Sequence, residues 1–199
     1  MPPPSSDETI LFPDIDDEIE VVLDDEPAGG RAPFRTPPAV VQWLGEAVTP
    51  GGAPAYVMVD AMSHLIAQAT QSTTVEVGGI LLGTRWQAGG PYVIVTGVVA
   101  ARGGETSATH LTFTAAHWQA MLAEQEQAFP GTEIVGWYHT HPGYGIFLSA
   151  HDEYVHRHFF AAPHQVAVIL DPVSGQLGMF SWQGEMLVRW PGLPLCEAR

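Results

Sequence analysis

Residues 133–160, EIVGWYHTHPGYGIFLSAHDEYVHRHFF, constrain this chain more than any other stretch. EIVGWYHTH (133–141) has the composition and alternation of a strand, Pro142 and Gly143 stop it, and SAHDEYVHRHFF (149–160) reads as a helix. Side chains two apart on a strand share a face. His139 and His141 therefore project together, and Thr140 points the other way. Ser149 and Asp152 are three apart, so they lie on one face of the helix. Of nine histidines, only this pair alternates inside an apolar, aromatic run.

The rest of the chain supplies elements around this unit. AYVMV (55–59) reads as a strand. DAMSHLIAQATQS (60–72) reads as a helix capped by Asp60, with Met62, Leu65, Ile66 and Ala69 on one face. GGILLGTRW (78–86) and YVIVTGVVA (92–100) are apolar strands joined by a hairpin turn at QAGGP, and HLTFT (110–114) is a shorter strand. AAHWQAMLAEQEQAF (115–129) is a helix that Pro130 and Gly131 stop. QVAVILD (165–171) and QLGMFSWQGEMLVRW (176–190) complete the sheet, the second as a hairpin through Gln183 and Gly184. The expectation is an α/β domain over residues 39–199, with a central mixed β-sheet flanked by helices. An acidic, Pro/Gly-rich tail and linker over residues 1–38 precedes it.

Charge narrows the classes of partner. The net charge is −15, and ten of the 22 acidic residues fall in residues 7–26. Phosphate backbones repel such a surface, so no nucleic-acid partner is expected. No apolar run approaches the roughly 20 residues of a membrane helix, and MPPPSSDETI has neither the basic nor the apolar region of a secretory signal. The single cysteine, Cys196, forms no internal disulfide framework and fits a reducing, cytoplasmic compartment as a surface or packing thiol. All seven basic residues are arginine. Genome composition is the simplest cause. A protein beside a lysine-conjugating machinery would also gain by having no lysine to tag.

Two neutral imidazoles side by side at a strand end make a natural pair of metal ligands, with zinc the first expectation. Asp152 could supply a carboxylate as third ligand, leaving a fourth tetrahedral position for water, as in catalytic rather than structural zinc sites. Ser149 could donate to a developing oxyanion. Glu76, a charge directly before the strongly apolar strand at 78, is the best candidate for a general base. Blander readings compete at each position. The histidines could be half-buried core residues, Ser149 and Asp152 a helix capping box, and Glu76 a solvated strand-edge residue. His151 is expected to face solvent, with His156, His158 and His164 on the helix surface or in loops. His64, His110 and His117 carry no spacing signal. Trp137, Tyr138 and Phe147 read as core or cleft-wall aromatics, with Tyr144 or Phe147 touching substrate.

Glu76, then His139-Thr140-His141-Pro142, then Ser149-Ala150-His151-Asp152, together resemble the pattern of the JAMM (JAB1/MPN/Mov34) metalloproteases: a glutamate, His-Ser/Thr-His-Pro, and Ser-x-x-Asp. GWYHTHPGYGIFLS is especially similar to the deubiquitinases of the proteasome lid and the COP9 signalosome. The resemblance spans roughly residues 55–190. It implies an MPN fold of the cytidine deaminase-like kind. It also implies one zinc ion on His139, His141 and Asp152, Glu76 as general base, and Ser149 stabilising the tetrahedral intermediate. The activity implied is cleavage of isopeptide or peptide bonds after the C-terminus of ubiquitin or a ubiquitin-like protein. Residues 101–109 and 143–148 stand where the eukaryotic enzymes carry insertions. If the arginine-only basic set marks a bacterium, the family implies a ubiquitin-like conjugation operon, in antiphage defence, with activating and conjugating enzymes as partners. Sulfur-carrier processing and a non-catalytic scaffold are the alternatives.

IEVVLDDE (19–26) has a separate resemblance, to a SUMO-interacting motif. Ile19, Val21, Val22 and Leu23 would add as a strand to the edge of a ubiquitin-like fold, with Asp24, Asp25 and Glu26 meeting a basic patch. A disordered acidic tail, or a strand pairing with its own domain, is the plainer reading. ILFPDI (10–15) could be a further docking site.

Overall fold

The computed structural model describes residues 38–46, 54–87, 91–102 and 113–197. Along them run β1 (Val40–Gly45), β2 (Ala55–Met58), α1 (Val59–Ala69), β3 (Gly78–Gln87), β4 (Pro91–Ala100) and α2 (Ala115–Ala128). Then follow β5 (Glu133–Thr140), α3 (Ala150–Phe159), β6 (Val166–Asp171), β7 (Gln176–Gln183), β8 (Met186–Trp190) and β9 (Gly192–Cys196). The strands form one sheet in the order β1-β9-β2-β4-β3-β5-β6-β7-β8. It is mixed: β5 pairs parallel with β6 and antiparallel with β3, and β2 pairs parallel with β4.

Period-two alternation sends side chains to two separate cores. Val166, Val168 and Leu170 of β6 join Met62, Leu65 and Ala69 of α1 on one face. Ala167 and Ile169 join Met121 of α2 and Val155 of α3 on the other. This α/β layering, helices on both faces of a central mixed sheet, is the one the sequence predicts.

A bulge in β5 decides which face receives the histidines. Leu81 of β3 lies opposite Gly136 but Leu82 lies opposite Ile134, so Val135 is skipped. Val135 and Tyr138 then share the α1 core while Trp137 enters the α2/α3 core. The phase of the strand is reversed at one residue. Only glycine fits at the reversal, because a Cβ on Gly136 would stand 2.1 Å from the Val166 carbonyl oxygen. Downstream, Trp137 and His139 stack on the α3 side.

Several expectations shift. Met58, not Asp60, is the N-cap of α1 and makes no side-chain cap bond. Asp60 instead lies in the first turn, where its charge suits the helix N-terminus. Ile66 is 42% exposed, at the margin of the buried stripe. Cys196 is buried among Tyr56, Tyr92 and Ile94, so it is a packing thiol, and burial pushes its pKa up to about 11. β1 and β9 are two strands beyond those the sequence predicts. The strand expected at 110–114 falls mostly outside the described residues; Thr114 caps α2. The tail, with Ile19, Val21, Val22 and Leu23, and most of 101–109 also lie outside them.

Candidate metal centre

Three side chains meet where β5 ends and α3 begins. His139 Nε2 and His141 Nε2 are 2.9 Å apart. Asp152 Oδ1 lies 3.1 Å from the first and Oδ2 lies 3.4 Å from the second. All three residues are buried, and their donor atoms could hold a metal ion. The donor set is two imidazole nitrogens and a carboxylate oxygen, with separations close to the roughly 3.3 Å edge of a tetrahedron of zinc-length bonds. The residues therefore fit a zinc-like ion with one position left over.

The two histidines reach the site by strand register. Gly78 of β3 pairs with His139, and β6 continues to pair past the strand end through His141 N–H to Leu170 O at 2.8 Å. The Trp137 ring stacks on His139, centroids 4.5 Å apart and planes 11° apart, which fixes that imidazole from behind. Trp137 Nε1 in turn donates to His156 Nδ1 at 2.9 Å. His156 is fully buried, which corrects its expected place on the helix surface. Burial, aided by Arg157, pushes its pKa down to about 4.

Asp152 arrives by helix capping. Ser149 is the N-cap of α3; its Oγ accepts from Asp152 N–H at 3.1 Å, and its own N–H donates to Asp152 Oδ2 at 2.7 Å. The capping box is present and is compatible with the ligand reading, since it points the carboxylate at the histidines. Burial would raise the Asp152 pKa, but hydrogen bonds from His139 and His141 hold it well below the usual carboxylate range. Burial disfavours a charged His141, yet Asp152 and then Glu76 raise its pKa above the usual histidine value.

Glu76 is buried, two residues before the start of β3, and near enough for its charge to act on His141. Its loop is anchored at both ends. Ser72 Oγ accepts from Thr74 and Val75 N–H, and Val77 exchanges two bonds with Thr140: N–H to Oγ1 and O from N–H, each 2.9 Å. Thr140, facing away from the histidines, thereby ties the loop of Glu76 to the strand of the ligands.

The loop after His141 forms one wall. Tyr144 is 64% exposed and Phe147 is 45% exposed, with the Phe147 ring 4.7 Å from that of His141. Phe147 thus stands beside His141, and Tyr144 is exposed to solvent. Asp171, at the end of β6, carries no signal in the sequence beyond closing the strand QVAVILD. It is buried and accepts from Gly143 N–H at 2.9 Å and Gly145 N–H at 3.3 Å, and also from Val173 and Ser174. Burial would raise its pKa; these donors override that and hold it at about 2. Ile146 fits over Gly178, and Arg189 donates to Ile146 O at 3.5 Å.

The JAB1/Mov34/MPN/PAD-1 ubiquitin protease family profile matches residues 54–163. The chain is 28% identical over 119 residues to an NAD(+) hydrolase TcpA of a Theionarchaea archaeon, covering 59% of this chain and 34% of that one. It is 30% identical over 126 residues to COP9 signalosome complex subunit 5 of Candida albicans, covering 60% and 20%. It is 44% identical over 46 residues to the 26S proteasome regulatory subunit rpn11 of Schizosaccharomyces pombe, covering 23% and 15%. The matched segments thus span about a third or less of these relatives. A solution structure of a Desulfitobacterium hafniense protein aligns with TM-score 0.57 at 19% identity, covering 72% of this chain and 94% of that one, which shows the fold.

Proposed function

This chain belongs to the JAB1/Mov34/MPN/PAD-1 family, and on that premise we propose that it is a zinc-dependent peptidase. Its substrate would be a ubiquitin-like protein, processed at its C-terminus or released from a conjugate. The observation that carries the reading is the convergence of His139, His141 and Asp152 beside the buried Glu76. When bound, a zinc ion supplies Lewis acidity and lowers the pKa of water.

The chain's own groups do the rest. Glu76 takes a proton from the attacking water as its oxygen adds to the carbonyl carbon. It returns that proton to the leaving amine as the C–N bond breaks. Ser149 accepts the Asp152 amide with a lone pair, which leaves its O–H free to donate to the oxyanion. Phe147 and Tyr144 line the approach to the site. A cytoplasmic bacterial conjugation system, with activating and conjugating enzymes and an antiphage role, is the setting we assign. The arginine-only basic set supports it. Residues 1–38 act as a separate docking tail and 39–199 as the peptidase domain.

The test is cleavage of a ubiquitin-like protein with a C-terminal extension by wild type, Glu76→Gln and a chelator-treated sample, with zinc quantified in each. The expected result is wild-type cleavage that falls by roughly 10²–10⁴-fold in Glu76→Gln, with its zinc retained, and stops after chelation. Bound zinc without turnover on any such substrate would favour the scaffold alternative. Absence of zinc from the wild type would overturn the metal site itself.

A further inference from the structure

We propose that Asp171 is a positioning residue for His141, acting through the loop that follows the two histidines. The proposal rests on the reading of His141 as a metal ligand. His141 Nδ1 lies 3.3 Å from the carbonyl oxygen of Gly145. A carbonyl only accepts, so the proton of this bond sits on Nδ1 and leaves the Nε2 lone pair to the metal side. The peptide that accepts from His141 belongs to a loop carrying Gly143 and Gly145, whose φ angles are +78° and +82°. Such glycines define no single conformation by themselves. What fixes the loop is the Asp171 carboxylate, with Oδ1 on the Gly143 amide and Oδ2 on the Gly145 amide.

The order of contacts is thus carboxylate, Gly145 amide, Gly145 carbonyl, His141 Nδ1, and on the far side of the ring Nε2 at the metal position. It is an extended form of the carboxylate–histidine–metal arrangement, in which an outer partner sets ring orientation and tautomer. His139 is held differently. Its Nδ1 has no hydrogen-bond partner among the described residues, and its ring is fixed by the stack on Trp137. The two histidines therefore have separate supports, and loss of Asp171 should disturb one of them.

Asp171→Asn isolates the contact. With its amide oxygen at the Oδ1 position, it still accepts from Gly143, Val173 and Ser174. Its NH₂ would face the Gly145 N–H, donor against donor, while Ser174 Oγ could still pair with it. Ser174→Ala is the control, since it weakens the same turn and spares the Gly145 bond. Zinc affinity of each protein is measured by chelator competition. The expected result is a loss of roughly 10–100-fold in Asp171→Asn and less than about 3-fold in Ser174→Ala.

Equal affinity in wild type and Asp171→Asn overturns the proposal, as does an equal loss in both variants. A wild type that binds no zinc overturns the metal reading and this inference with it. A second measurement does not depend on a variant folding. ¹⁵N NMR of zinc-loaded wild type should show His141 bound to the metal through Nε2 with the proton on Nδ1, and coordination through Nδ1 also overturns it.

Discussion

At the scale of single residues, two side chains have a structural and a chemical role that substitution can separate. Ser149 caps α3 and is the proposed oxyanion donor. Alanine removes both functions, but glycine is itself a tolerable N-cap, costing only a few tenths of a kcal/mol where alanine costs about 1. Ser149→Gly should therefore melt close to wild type while losing roughly 10²–10³-fold in kcat; retained turnover would reduce Ser149 to a cap. His156 is the second case. Its folded pKa of about 4, depressed by burial and Arg157, lies below the roughly 6.5 of an unfolded histidine. The unfolded chain takes up a proton that the folded protein refuses. No stability is lost from this group above about pH 6.5, and the loss grows as pH falls towards 4, reaching about 3 kcal/mol. Glutamine keeps an acceptor for Trp137 and does not titrate. Denaturant melts of wild type and His156→Gln at pH 7 and pH 4.5 should show wild type losing more; a stability difference independent of pH would remove the assignment.

At the scale of elements, the site depends on how β5 is tied to its neighbours. Thr140 shows this best, since its hydroxyl and backbone hold Val77 and with it the loop of Glu76. Thr140→Val keeps the shape and leaves the Val77 N–H without an acceptor, a cost of about 1–3 kcal/mol. It should lower kcat well before KM or zinc content changes, and Thr140→Ser should restore it. A variant that binds zinc and cleaves normally would show that the loop needs no such tie. The ligand-bearing elements were legible in the sequence because strand period, Pro-Gly stop and Ser cap all agree locally between Trp137 and Tyr154. Other parts were not. β9 contains Pro194, which argues against a strand inside a sheet. It is accommodated because β9 pairs with β2 only at Leu195 and Cys196. β1 shows no period-two alternation, because its register shifts between Val40 and Gln42 and only Val40, Trp43 and Leu44 are partly buried; it becomes a strand by pairing with β9 at the far end of the chain. Asp171 and His156 were missed for a related reason. Their partners, Gly145 and Trp137, are 26 and 19 residues away, and only the fold brings them together.

At the scale of the whole molecule, charge is divided unevenly along the chain. Beyond residue 37, twelve acidic residues face five arginines, a net of −7. Residues 1–37 carry the other ten acids, all within 7–26, with Arg31 and Arg35. More than half of the net charge therefore lies before residue 38. Such a segment attracts a basic partner over about a Debye length, roughly 10 Å at 0.1 M salt, and adds a salt-sensitive share to association. If it also adds a strand to a ubiquitin-like fold through Ile19, Val21, Val22 and Leu23, a second share depends on apolar contact and is insensitive to salt. Three proteins separate these shares: one lacking residues 1–38, one with Asp24, Asp25 and Glu26 changed to amides, and one with the four apolar residues changed to alanine. Deletion should weaken binding of the ubiquitin-like partner without altering zinc content or cleavage of a short peptide. The amide variant should lose affinity at low salt and flatten the salt dependence, with little change at high salt. The alanine variant should lose affinity at every salt concentration. Binding left unchanged by the deletion would confine recognition to the domain, and the exposed Tyr144 and Phe147 would then be the residues to substitute next.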